Sequence, residues 1–195
     1  MITPSRADGV GPAGPAPSVH VRLLPVATDA DRALRAQVAA LLGGAGAGGP
    51  AGGITPADVR TGRLCPACGS SSHGRPWVRV TGLAGGCGVS LSRSGAHLLT
   101  AVHLGGGIGV DIEEIAAVDA RWDPSLVLAP GEEHLARTSV GRARLWAGKE
   151  AVLKLLGTGL RTPMPEVALT DHDVRPVAAP PGFVAAIALP GGPPL

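Results

Sequence analysis

The chain has 195 residues, 45% of them apolar, and a formal net charge of +2, so it can bury a core, while its overall charge argues neither for nor against an anionic partner. Three Trp, one Phe and no Tyr leave little for base stacking, which argues against single-stranded nucleic-acid binding. Three cysteines, an odd number, speak against a disulfide framework, and no apolar run is long enough to span a bilayer, so the expectation is a soluble, cytoplasmic protein with no membrane partner.

Residues 1–17 are rich in Pro, Gly and Ala, lack the apolar run of a secretion signal, and are expected to form a disordered tail. VHVRLLPV (19–26) alternates as a strand does. TDADRALRAQVAALL (28–42) predicts a helix with Thr28 as N-cap, Asp29 and Asp31 in the first turn, and Leu34, Val38, Leu41 and Leu42 on one face. Gly43 ends it and opens GGAGAGGPAGG (43–53), a Gly-rich loop.

CPACGSSSHGRPWV (65–78) predicts a loop leading into a strand, and GCGVSLSRSG (86–95), AHLLTAVHL (96–104) and GIGVDIEEI (107–115) predict three more strands. PGEEHLARTSVGRARLWAGKEAVLKLLG (130–157) holds one or two helices, and EVALTD (166–171) and FVAAIAL (183–189) predict late strands. Strands interspersed with helices point to an α/β or α+β fold.

Two stretches carry chemistry. In an extended GVDIE, Asp111 and Glu113 share one face, while Val110 and Ile112 take the other. Adjacent carboxylates repel; a hard divalent cation relieves that, and so does a strand end running into water. In WAGKEAVLKLLGTG (146–159), Leu145, Val152, Leu155 and Leu156 define an apolar stripe, with Lys149, Glu150 and Lys154 on the remainder. Glu150 and Lys154, four apart, fit an ordinary solvated ion pair; equally, one carboxylate and two ammonium groups fit a phosphate chain. Gly157 and Gly159 close the helix, and Gly148 inside it suits a close contact or a tight crossing.

CPACG has the shape of a zinc knuckle, with His73 close behind. Structural zinc takes four ligands, however, and Cys87 is the only other cysteine, so Cys65 and Cys68 are expected to serve a turn or the core. His97, His103, His134 and His172 show no partner pattern. GGGIG (105–109) precedes a strand rather than following one, unlike a dinucleotide loop.

Taken together, GVDIE and WAGKEAVLKLLGTGL resemble the two signatures of the 4′-phosphopantetheinyl transferase superfamily. CPACGSSSHGRP, SLSRSG and PGFVAAIAL resemble further elements of its larger, Sfp-type branch, in the same order, so that the likeness runs from about residue 55 to 190. The resemblance implies an α+β fold of two similar halves (18–104 and 105–195), each a small sheet packed on a long helix, forming a pseudo-dimer within one monomeric chain. It implies coenzyme A as co-substrate in the cleft between the halves, Mg²⁺ (or Mn²⁺) as metal, and an apo acyl or peptidyl carrier protein as partner. Asp111, Glu113 and Glu150 match the metal-binding acids. Glu150 and Lys154 match catalytic positions, and Arg75, Ser92, Arg93, Lys149 and Lys154 match coenzyme A contacts. Glu132, or its neighbour Glu133, matches a glutamate proposed as a base. Arg93 stands where the family has histidine, which keeps a positive charge but cannot titrate near neutrality. A degenerate binding module that holds coenzyme A or a carrier without transfer is the alternative.

Overall fold

The computed structural model describes residues 19–44, 53–83 and 86–191; the expected tail and most of the expected Gly-rich loop lie outside the described residues. Its longest helix, α4 (Ser139–Leu156), starts where the Thr138 hydroxyl accepts the Gly141 N–H and stops where Gly157 turns left-handed, φ 72°. Ala147, Ala151, Val152 and Leu153 on this helix are fully buried against a three-stranded antiparallel sheet of β6 (Gly109–Glu114), β8 (Phe183–Leu189) and β7 (Asp173–Val177), in that order. The run FVAAIAL is apolar throughout because β8 is central, with Val184, Ala186 and Ala188 toward α4 and Ala185 and Ile187 on the opposite face.

The N-terminal part builds a second sheet, β1 (Val19–Pro25), β5 (His97–His103) and β4 (Gly88–Ser94), also antiparallel with β5 in the middle. Helix α1 (Ala30–Gly44) buries Leu34 and Val38 against it, as the apolar spacing requires. Its N-cap is Asp29, whose carboxylate accepts the Arg32 N–H at 2.8 Å; Thr28 lies one residue too early. The two sheets face each other through Leu99 and Ala101 on one side and Val110, Ile112, Ala185 and Ile187 on the other. The layers therefore run helix, sheet, sheet, helix.

A hairpin of β2 (Val59–Leu64) and β3 (Arg75–Val80) is inserted between α1 and β4, and short helices α2 (Ile115–Ala120) and α3 (Pro124–Val127) lie between β6 and α4. Strand β2 was not expected, because VRTGRL carries too few apolar residues to show a period. EVALTD is not a strand: it forms two 3₁₀ turns, Met164–Glu166 and Leu169–Asp171, and the strand begins after them at Asp173. The Leu169 N–H is spent on the Glu132 carboxylate at 3.0 Å instead of on a neighbouring strand.

Candidate active site

Gly109 decides how closely β6 approaches α4. A Cβ there would lie 1.8 Å from the Ala151 carbonyl oxygen and 2.6 Å from the Leu155 nitrogen. That approach, with Val110 and Ile112 committed to the inter-sheet core, turns Asp111 and Glu113 toward α4, which supplies Glu150 and Lys154. Lys154 Nζ meets Asp111 Oδ1 at 2.5 Å and the Ser92 hydroxyl donates to the same oxygen at 2.6 Å. The other carboxylate oxygen, Asp111 Oδ2, is buried with no hydrogen-bond partner.

The surface ion pair between Glu150 and Lys154 is not formed, since Lys154 turns to Asp111. Burial raises the Asp111 carboxyl despite the Lys154 ammonium, and burial with Asp111 nearby raises Glu113 to about 7. Glu150 is raised too, first by burial, with Asp111 adding to the rise and Lys154 opposing it. Three carboxylates thus crowd around one ammonium, short of positive charge.

Serines at alternate positions of β4 fasten the two sheets along this edge. The Val110 N–H donates to Ser90 at 3.1 Å, Ser92 donates to Asp111, and Ser94 donates to Glu113 at 3.4 Å while accepting the Glu114 N–H at 3.1 Å. Ser90 and Ser94 were not singled out from the sequence, although the alternation in SLSRS places all three hydroxyls on one face. Glu114 is exposed at the end of β6.

Lys154 also lines a cavity of about 360 Å³ between the N-terminal elements and the end of α4. Arg63, Arg75 and Arg161 join it there, and the buried hydroxyl of Thr158, without a partner of its own, lies on the same wall. Arg75 crosses the gap and donates to the Leu155 carbonyl at 3.2 Å, satisfying a free carbonyl at the end of α4. It also lines an adjoining cavity of about 610 Å³. Arg63 and Arg161 were missed in the sequence because isolated arginines carry no pattern. Val89 and Leu91 line the first cavity; Arg93, next on that face of β4, is exposed and beyond it.

Lys149 is a correction. Its ammonium is fully buried, 2.6 Å from Glu132 Oε2 and donating to the Met164 carbonyl at 3.0 Å, on a different side of α4 from Lys154. It is committed to protein partners and does not reach the cavity. Glu132 is engaged with it: burial opposes its ionisation, but Lys149 and the N–H groups of Leu169 and Ala129 hold it below the ordinary glutamate value. With these partners the Glu132 carboxylate ties α4 to the loops before and after it.

At the tip of the β2–β3 hairpin, ligand atoms of Cys65, Cys68 and His73 lie within 4.8 Å of one another. Backbone N–H groups of Cys68 and Ala67 pull the Cys65 thiol down to about 7, whereas burial pushes Cys87, away from that cluster, up to about 11.

Among the described residues no helix is long and apolar enough to cross a membrane. The chain matches no curated protein. The family model of the 4′-phosphopantetheinyl transferase superfamily matches residues 107–181, which include both Asp111 and Glu113 on β6 and Glu150 and Lys154 on α4. Over that segment, less than half of its length, the chain is similar to the 4′-phosphopantetheinyl transferase superfamily.

Proposed function

We propose that this protein transfers the 4′-phosphopantetheine arm of coenzyme A to a serine of an acyl or peptidyl carrier protein, releasing 3′,5′-ADP. One observation carries the reading: a buried carboxylate, Asp111, with one oxygen unpaired, sits among Glu113, Glu150 and Lys154 beside a cavity bearing three arginines. The donor set fits Mg²⁺, a hard cation that takes carboxylate oxygens and substrate phosphates, and Asp111, Glu113 and Glu150 would hold it. When bound, the ion neutralises diphosphate charge and steadies the leaving phosphate.

The remaining roles belong to the chain. Lys154 and Arg75 supply positive charge for the coenzyme A phosphates, with Arg63 and Arg161 around them. Ser92 fixes the Asp111 carboxylate. Glu150, with its raised carboxyl, takes the proton from the attacking serine hydroxyl. Positioning and charge neutralisation do most of the work in phosphoryl transfer, so no covalent protein intermediate is needed.

The Sfp-type, pseudo-dimeric reading with halves 18–104 and 105–195, acting as a monomer, is supported by strand order. Each half forms a sheet with its last strand between its first and its penultimate one, β1-β5-β4 and β6-β8-β7, and each has a helix after its first strand. Arg93 favours a second reading, coenzyme A or carrier binding without transfer, only if a proton role at that position matters; its exposed place beyond the cavity wall weakens that case. Incubation with coenzyme A, Mg²⁺ and a panel of apo-carriers, read by intact mass, separates them. A gain of one phosphopantetheine group is expected, and Glu150→Gln should abolish it while the fold persists. Binding without any gain, by well-folded protein, would overturn transfer.

A further inference from the structure

We propose that Cys65, Cys68 and His73 form a second metal site, for a thiophilic divalent cation such as Zn²⁺, in the loop that joins β2 to β3. The three ligand atoms all lie within 4.8 Å of one another, and the Cys68 sulfur is 3.4 Å from His73 Nε2. They come from one nine-residue stretch of exposed or half-buried loop, so no core packing accounts for their convergence.

The backbone is built as a knuckle around them. The Gly69 N–H closes back on the Cys65 carbonyl at 2.8 Å, the Cys65 N–H reaches the Ser70 carbonyl at 2.9 Å, and Gly69 takes the left-handed conformation that this turn needs, φ 72°. The Ser72 hydroxyl lies 3.4 Å from His73 Nδ1, which orients the ring and leaves Nε2 to the cluster. All three cysteines are free.

Two thiolates and an imidazole select Zn²⁺ over the hard cations that suit the carboxylate site. The sequence argument against zinc was the missing fourth protein ligand. Cys87 does not join the cluster, so the site has three protein ligands, and its fourth position is open to water. An ion there would close the loop from Cys65 to His73, whose flanks Cys65, Pro66, Gly74 and Arg75 line the cavity. It would therefore hold Arg75 in place across the gap to α4.

The reduced full-length protein, loaded with Zn²⁺ and dialysed, is assayed by elemental analysis, then loaded with Co²⁺ and read by absorption. About one zinc per chain is expected in the parent and in Cys87→Ser, falling at least about tenfold in Cys68→Ser and His73→Ala. A thiolate-to-cobalt charge-transfer band is expected in the parent and not in Cys68→Ser. Circular dichroism checks that the variants remain folded. Metal-free parent protein after loading, or stoichiometric zinc retained in both Cys65→Ser and Cys68→Ser, would overturn the site.

Discussion

Lys149 and Lys154 lie five residues apart on one helix, yet one is a strut and the other faces the cavity. Lys149 falls four residues after Leu145, three before Val152 and four before Leu153, on the buried stripe itself, and it enters the core only because Glu132 waits there. The helical spacing was legible, but a lysine on an apolar stripe reads as a solvated residue until its partner, seventeen positions upstream, is seen. Lys149→Met is expected to cost about 3–5 kcal/mol in denaturant unfolding by stranding Glu132, and Glu132→Gln in the same chain should recover part of that loss. Glu113 differs because its carboxyl is raised to about 7 by burial and by Asp111. In the metal-free protein its contribution to stability is full below the ordinary glutamate value and is lost as pH rises through about 7. Glu113→Gln should therefore raise the Tm of the metal-free protein at about pH 8 and leave it nearly unchanged at about pH 4.

Helix α4 and strand β6 were both legible, and so was the common face of Asp111 and Glu113, because alternation and helical period are local properties. Their crossing was not, since it depends on Gly109, whose hydrogen alone fits against the Ala151 carbonyl. Gly109→Val is expected to destabilise the fold by at least about 1–3 kcal/mol, read as a lower denaturation midpoint, because the strand must shift off the helix. Gly148, open at the sequence level between a close contact and a tight crossing, packs on Leu169 and Val174. EVALTD shows the converse failure. Its apolar alternation is real, but the Glu132 carboxylate captures the Leu169 N–H that a ladder would need. Strand β2 escaped notice because its arginines serve the hairpin and the cavity rather than a core.

At the scale of the molecule, the two sheets share a core and a row of serine hydroxyls, and the cavity opens where the β2–β3 hairpin meets the end of α4. The acids on β6 and α4 lie behind Lys154, and the basic side chains lie in front of it. This arrangement suits a ligand that brings its own phosphates to the acids through a metal ion, because Lys154 neutralises Asp111 alone and leaves Glu113 and Glu150 without an ion pair among the described residues. The resemblance in sequence reached the acids, Lys154 and Arg75, while bringing Arg63 and Arg161 beside them needed three segments folded together.

The central claim is that Asp111, Glu113 and Glu150 hold the ion through which coenzyme A is bound. Calorimetric titration of the full-length protein with coenzyme A, run with Mg²⁺ and again after chelation, tests it most directly. Tight binding with Mg²⁺, weakened at least about tenfold by chelation and likewise by Asp111→Asn with the fold intact, is the expected result. Equal affinity with and without Mg²⁺, in the parent and in Asp111→Asn alike, would contradict it.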